Sequence, residues 1–289
     1  MNPPPGEASA IDATPADFFC PECGYDLRAI QSERCPECGL VIDRASMSVS
    51  RLPWSHRDKI GFFRAYWRTM LLGPKKLAAE MARPVSYPDA QRFRHVTVLI
   101  AWLPLAAWAV GLALYNTPDL RHRIHAGTRL GWFLEAIVLL SGLFALWLFL
   151  LMASGVASYF FHPKRLPVVL QNRAVALSYY ACGPLAWLWV PAVFAGLYAL
   201  IETQQWGVDT WVERSDGALF GAALLLPILI AIVCLVRAVR LMSRTTHCRA
   251  ARIIAMVVFV PCEWLLCFLP AALIPAIAVY VSVVILSLR

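Results

Sequence analysis

The chain is short of charge. Asp, Glu, Lys and Arg make up 15% of its 289 residues, where an average soluble domain carries roughly 25%, and 60% are hydrophobic. That deficit argues against an ordinary water-soluble domain and for a membrane class. A secretory leader is missing from the opening, because residues 1–15 (MNPPPGEASAIDATP) have neither a basic n-region nor an apolar h-region. Their Pro, Ala and acid content reads as a disordered tail over 1–17, with the N-terminus expected to stay in the cytosol. Recognisable catalytic signatures are absent too: no P-loop, no G-x-S-x-G, no H-E-x-x-H and no Rossmann fingerprint. Nothing in the sequence warrants an enzyme, and a lipid-modifying activity finds no residue constellation to support it.

What charge there is lies unevenly. Residues 1–50 hold eight acidic side chains against three basic ones, and residues 51–95 hold ten Lys or Arg against three Asp or Glu. The formal net charge of +8 therefore comes mainly from a basic belt ahead of the first apolar run. Beside apolar runs, such a belt points to anionic lipid head groups and topology control; no specific nucleic acid is expected as a partner.

The nine cysteines fall into two sets. Cys20, Cys23, Cys35 and Cys38 form two Cys-Pro-Glu-Cys-Gly knuckles, while Cys182, Cys234, Cys248, Cys262 and Cys267 are scattered singly and read as small hydrophobes. Two thiolates separated by two residues can bind one tetrahedral ion. Gly24 and Gly39 supply the backbone freedom that turns the chain and points its amides at the sulfurs. Doubling the knuckle closes a four-sulfur shell, so the predicted metal is one structural Zn2+ with no open position for substrate. About thirty residues cannot bury enough apolar area to fold alone, so metal binding has to supply the folding free energy of this module, placed at 18–42. A disulfide pair, a redox Cys-x-x-Cys and a rubredoxin-like iron site are the competing readings. The two knuckles resemble the short zinc ribbons at the N-termini of many bacterial membrane proteins. That resemblance implies an interaction or stabilising module.

A helix spanning about 30 Å of hydrocarbon needs about 20 apolar residues. Runs of that kind cover about 95–115, 130–161, 173–201 and 217–241. A last run, 252–288, is interrupted by Pro261, Pro270 and Pro275 and reads as one broken helix or two tight ones. The expected fold is thus an all-α polytopic membrane bundle of five or six spans, residues 95–289, carrying a small N-terminal zinc ribbon. Loop charges orient it. The loop ending at Arg173 (Lys164, Arg165, Arg173) and the end of the fourth run with the loop after it (Arg237, Arg240, Arg244, Arg249, Arg252) carry no acid, while 202–216 holds four acids and one Arg. By the positive-inside rule the ribbon and both basic loops are cytoplasmic in a bacterial-type inner membrane; Arg121, Arg123 and Arg129 are the misfit.

Between ribbon and spans, residues 43–94 form a linker and a helical stretch from about Ser55 to Met81, with an interruption expected at Gly73-Pro74. Arg57, Arg64, Arg68 and Lys75 share a narrow arc, and Ile60, Phe62, Phe63, Tyr66, Trp67, Met70 and Leu71 fill much of the remainder. That pattern suits a helix lying in the membrane interface, or one packed on the bundle by its aromatics. From about Trp54 onward, this aromatic and basic helix, the Leu72-Gly-Pro-Lys-Lys-Leu stretch and the clustered short-loop spans resemble the Yip-domain family. The resemblance implies a five-helix membrane protein with a role in membrane organisation or scaffolding.

Among ionisable residues in apolar runs, Glu263 stands out as a hydrogen-bond donor or proton carrier, or as a group satisfying backbone at a helix break. Glu135 lies near the start of its run and reads as interfacial. His122 and His125 sit among arginines in a solvated loop, unsuited to a cation. The leading reading is an integral membrane scaffold or interaction protein whose partners are the bilayer and a cytoplasmic protein docked through the ribbon. The alternative is a small-solute transporter or channel using Glu263.

Overall fold

The computed structural model describes residues 18–124, 129–161, 167–190, 229–245 and 253–262, with single positions at 273, 277, 278, 280 and 281. Among the described residues the only β pairing is two isolated antiparallel bridges, Phe19 with Asp26 and Arg34 with Val41; the rest is helix and turn, so the all-α class holds. The helices are α1 (Arg44–Met47), α2 (Arg57–Ile60), α3 (Phe62–Met70), α4 (Pro74–Ala79), α5 (Tyr87–Ile124), α6 (Arg129–Val156) and α7 (Val168–Ala181). Two more, α8 (229–245) and α9 (Ile253–Cys262), follow.

The stretch expected as one helix with a break at Gly73-Pro74 is broken there and once more. Pro74 opens α4 at a position where its missing N–H costs no helical bond. The additional break is at Gly61, whose φ of +88° lies in the region closed to most side chains. It lets α3 swing its inner face onto the bundle. Ala65, Tyr66, Thr69 and Met70 are buried on that face, while Phe63, Trp67 and Leu71 stay exposed on the other. The packed alternative for this helix is therefore realised on its inner face, while its outer aromatic face stays uncovered.

Trp54 fixes this collar to α5. It is buried, donates its Nε1–H to the Asp89 carbonyl (2.8 Å) and its backbone N–H to Thr69 Oγ1 (2.9 Å), and meets the rings of Phe62, Tyr66 and Phe93 edge-on. Tyr66 donates to Thr97 Oγ1 (3.1 Å), and Thr97 in turn to the Phe93 carbonyl (2.9 Å). The principal core joins these groups to α7, to Phe161 and to Leu241 and Met242 of α8. A second cluster, built on Val98, Ala101, Leu150, Leu185 and Cys234, lies further along the same helices.

Among the described residues one helix, Ala136–Phe161, is long and apolar enough to cross a membrane, and only 11% of its apolar window is covered by protein. Ile253–Cys262 is a shorter apolar helix. The run 95–115 lies inside α5, whose 38 residues extend about 57 Å. That helix continues through 116–124, where a loop was expected. The run expected at 173–201 begins earlier, at Val168 after Pro167, and its α-helix stops at Ala181. There Gly183-Pro184 starts a 3-10 turn to Leu188, because proline cannot donate the next helical bond. Helix α7 is buried all round from Arg173 to Ala181, while Val168 and Asn172, in its opening turns, stay exposed.

Candidate metal centre

The two knuckles are built alike. In the first, Gly24 N–H donates to the Cys20 carbonyl (2.9 Å) and Cys20 N–H to the Tyr25 carbonyl (2.8 Å). In the second, Gly39 N–H donates to the Cys35 carbonyl (2.9 Å) and Cys35 N–H to the Leu40 carbonyl (2.8 Å). Each turn closes through a glycine with positive φ, +80° at Gly24 and +73° at Gly39, so the backbone freedom expected of both glycines is used. One bond further out, Leu27 N–H reaches the Phe18 carbonyl and Ile42 N–H the Glu33 carbonyl.

These turns bring Cys20, Cys23, Cys35 and Cys38 together, with all four sulfurs within 4.8 Å of one another. Cys20 and Cys38 Sγ are 3.5 Å apart, and Cys23 and Cys35 Sγ 3.6 Å. A disulfide needs about 2.05 Å, so the disulfide reading fails. A tetrahedron of sulfurs about 2.3 Å from a central zinc has edges of about 3.8 Å, which these separations approach without rearrangement. The donor set therefore fits a four-coordinate thiophilic ion.

The electrostatics favour thiolate at one corner in particular. Burial works against the Cys35 anion, yet the amides of Cys38 and Glu37, helped by neighbouring thiols, outweigh it and bring the pKa down to about 7. Desolvation instead pushes Cys23 up to about 12 and raises Cys20. A bound cation reverses that cost by sharing its charge among all four sulfurs.

Apolar support comes from Phe18, Leu27, Ile42 and Met47 packed around Cys20 and Cys35, with Ala82 from the body against them. The Arg44 guanidinium lies 5.3 Å from the centre of the Phe18 ring, and Phe19 turns the other way into the principal core. The module is thus seated on the helical body. The seat is polar as well: Glu80, buried, pairs with Arg83 and accepts from Arg51 N–H (2.9 Å) and Ser50 Oγ (3.3 Å). Arg83 Nε–H completes the joint by donating to the Ser46 carbonyl (2.7 Å).

Two arginines counted as loop charges have other work. Arg173 is buried in α7 and donates to the Met81 carbonyl (3.4 Å). Arg237, in α8, donates to the carbonyls of Met70 (3.1 Å) and Leu72 (2.8 Å), capping the end of α3. Its place inside an apolar run was the available signal. A cleft of about 480 Å³ lies between linker, α5 and α7, lined by Val49, Val85 and Val169 as well as by Ser55, Asp89 and Asn172. Asp89 is paired there with Arg57 (2.9 Å) and Ser86 caps α5, so both hold the fold. Glu263, His125, Cys248 and Cys267 lie outside the described residues. His122 and Glu135 fall within α5 and α6. Cys182 and Cys234 are buried apolar-core members, as scattered cysteines were expected to be, but Cys262, at the end of α9, is exposed and departs from that reading.

Comparison of the chain with protein-family models, with curated proteins and with solved structures finds no match.

Proposed function

We propose that this chain is an integral membrane scaffold whose cytoplasmic, structural zinc ribbon is a docking module held on a five- or six-span helical body. The observation that carries the reading is the way the ribbon is seated. One side, through Phe19, Ala82 and the Glu80–Arg83 joint, is fastened to the body. Away from those contacts Tyr25 and Val41 are 38% and 61% exposed, Val41 bridged to the exposed Arg34, and Glu22, Glu33 and Glu37 are exposed in the same module. A closed four-sulfur shell performs no chemistry; it holds that outward surface in shape. A rigid mount with exposed apolar side chains and four acids against two arginines over 18–42 suits a basic protein segment. A closed tetrahedral set of four thiolates accepts zinc or iron alike, and zinc is the choice here because a docking role needs no redox change. The positive-inside count, with ten basic residues in 51–95, supports an N-terminus on the cytoplasmic side. Scaffolding is also what the resemblance to Yip-domain proteins implies.

Affinity purification of the full chain in mild detergent tests the reading, comparing wild type with Val41→Glu and Cys20→Ser. One cytoplasmic partner recovered with wild type and lost from both variants, with metal retained in Val41→Glu, is the expected result. Equal recovery from all three overturns the docking role.

A further inference from the structure

Opposite its packed face, α3 carries Phe63, Trp67 and Leu71 at successive fourth positions, 75%, 38% and 67% exposed. Arg64 and Arg68 form the adjoining stripe, also exposed. The apolar stripe does not end with the helix. The Trp67 ring meets Trp187 edge-on at 6.1 Å, and Trp187 stacks on Trp189 at 6.4 Å and 22°. Trp187 is 40% exposed and belongs to the turn after α7, some 120 residues away in sequence.

The junction is tightly built. A Cβ on Gly183 would stand 3.1 Å from Met70 Cγ and 3.2 Å from Met70 Cα, so glycine is what lets the turn approach α3 this closely. Arg237 holds the end of α3 from the other direction. The aromatic row is therefore preorganised from two distant segments. Its level is set through α7, which packs both on α3 and on the 157–161 turn ending at Phe161, the last residue of the long apolar helix.

We infer that this ledge seats on the cytoplasmic leaflet of a bilayer and selects anionic phospholipid. Tryptophan rings at the end of a span occupy the head-group layer, where an apolar body and a polar N–H are both satisfied. Charge decides the lipid. Between Arg57 and Lys76 there are six Lys or Arg against one Asp, and the two arginines flanking the stripe can each take a phosphate oxygen pair. A second protein would have to match a basic rim around exposed aromatics, and a second copy of this chain would bring like charge against like.

The inference rests on the membrane-embedded part of the proposed function and is independent of docking by the ribbon. Resistance of the chain to extraction from membranes by alkaline carbonate tests embedding separately. The ledge itself is tested by reconstituting the full chain into vesicles of phosphatidylcholine containing a quarter phosphatidylglycerol, with bromines placed on one lipid or the other. The Trp67 and Trp187 component is taken as the difference from Trp67→Phe/Trp187→Phe. That component should be quenched at least twofold more by brominated phosphatidylglycerol than by brominated phosphatidylcholine. Arg64→Gln/Arg68→Gln, both exposed positions, should remove the preference and leave quenching by the neutral lipid. Equal quenching by the two lipids in wild type overturns the selection. Absence of quenching overturns the ledge, and if Phe63→Ser then turns a dimer into a monomer by mass photometry, the face belongs to a second copy.

Discussion

The ribbon and the helical body achieve order with very different means. The ribbon buries Phe18, Leu27, Ile42 and Met47 around two sulfurs, and its hydrogen bonds are a handful of turn contacts. The body buries Trp54, Tyr66, Phe93, Phe161 and Tyr180 in one continuous core, with α3, α4 and α5 packed against α7. Apolar burial can account for the second but not the first, since so few side chains cannot offset the backbone entropy of twenty-five residues at about 1–2 kcal/mol each. The first region should therefore depend on a metal and the second should not care about it. Glu80 and Arg83 are where the two schemes are joined.

Removing the metal should break the symmetry between the regions most sharply. A structural zinc contributes about 10–16 kcal/mol of apparent binding free energy. A strong chelator should therefore abolish hydrogen-exchange protection across 18–42 while α5 and α7 keep theirs. Protection unchanged in both would mean the ribbon folds without metal. The converse perturbation is Trp54→Ala, expected to cost the body about 3–5 kcal/mol in detergent unfolding while metal content stays the same. Loss of metal in that variant would show that the two regions are one cooperative unit.

Smaller changes probe the joint and the knuckle. Glu80→Gln leaves Arg83 and two donors short of their carboxylate, a cost of about 1–3 kcal/mol. It should expose the 44–51 segment to protease with metal still bound. Gly39→Ala meets no atom within 4 Å, so its effect is the left-handed backbone alone, about 1–2 kcal/mol, read as weaker metal affinity. The smallest effect concerns Asp43, which caps α1. The Ser46 amide bonds its carboxylate and holds its pKa below the usual aspartate range. A lowered folded-state pKa stabilises above the ordinary aspartate pKa, and that contribution fades as pH falls through the lowered value. The Ser46 amide resonance should follow this titration; a midpoint at the ordinary aspartate value would remove the cap from the account.

Legibility in the sequence followed the range of the interactions. The convergence of the four cysteines was readable because each knuckle is five residues long and its glycines act within it. The helical class was readable from the length of the apolar runs. Gly61 was not, because a glycine inside an amphipathic pattern looks the same whether it continues the helix or turns it. Arg173 and Arg237 were counted only as topology charges because their acceptors, the carbonyls of Met81, Met70 and Leu72, lie 92, 167 and 165 residues away. A count of charge per loop has no access to such partners. The Trp67–Trp187 contact escaped for the same reason, although both tryptophans were visible as residues.

Elemental analysis of the purified full-length chain tests the central claim most directly. One equivalent of zinc per chain is predicted for wild type, falling to background in Cys20→Ser/Cys38→Ser with the helical body still folded. Less than half an equivalent in wild type, or an unchanged content in the double variant, would contradict it.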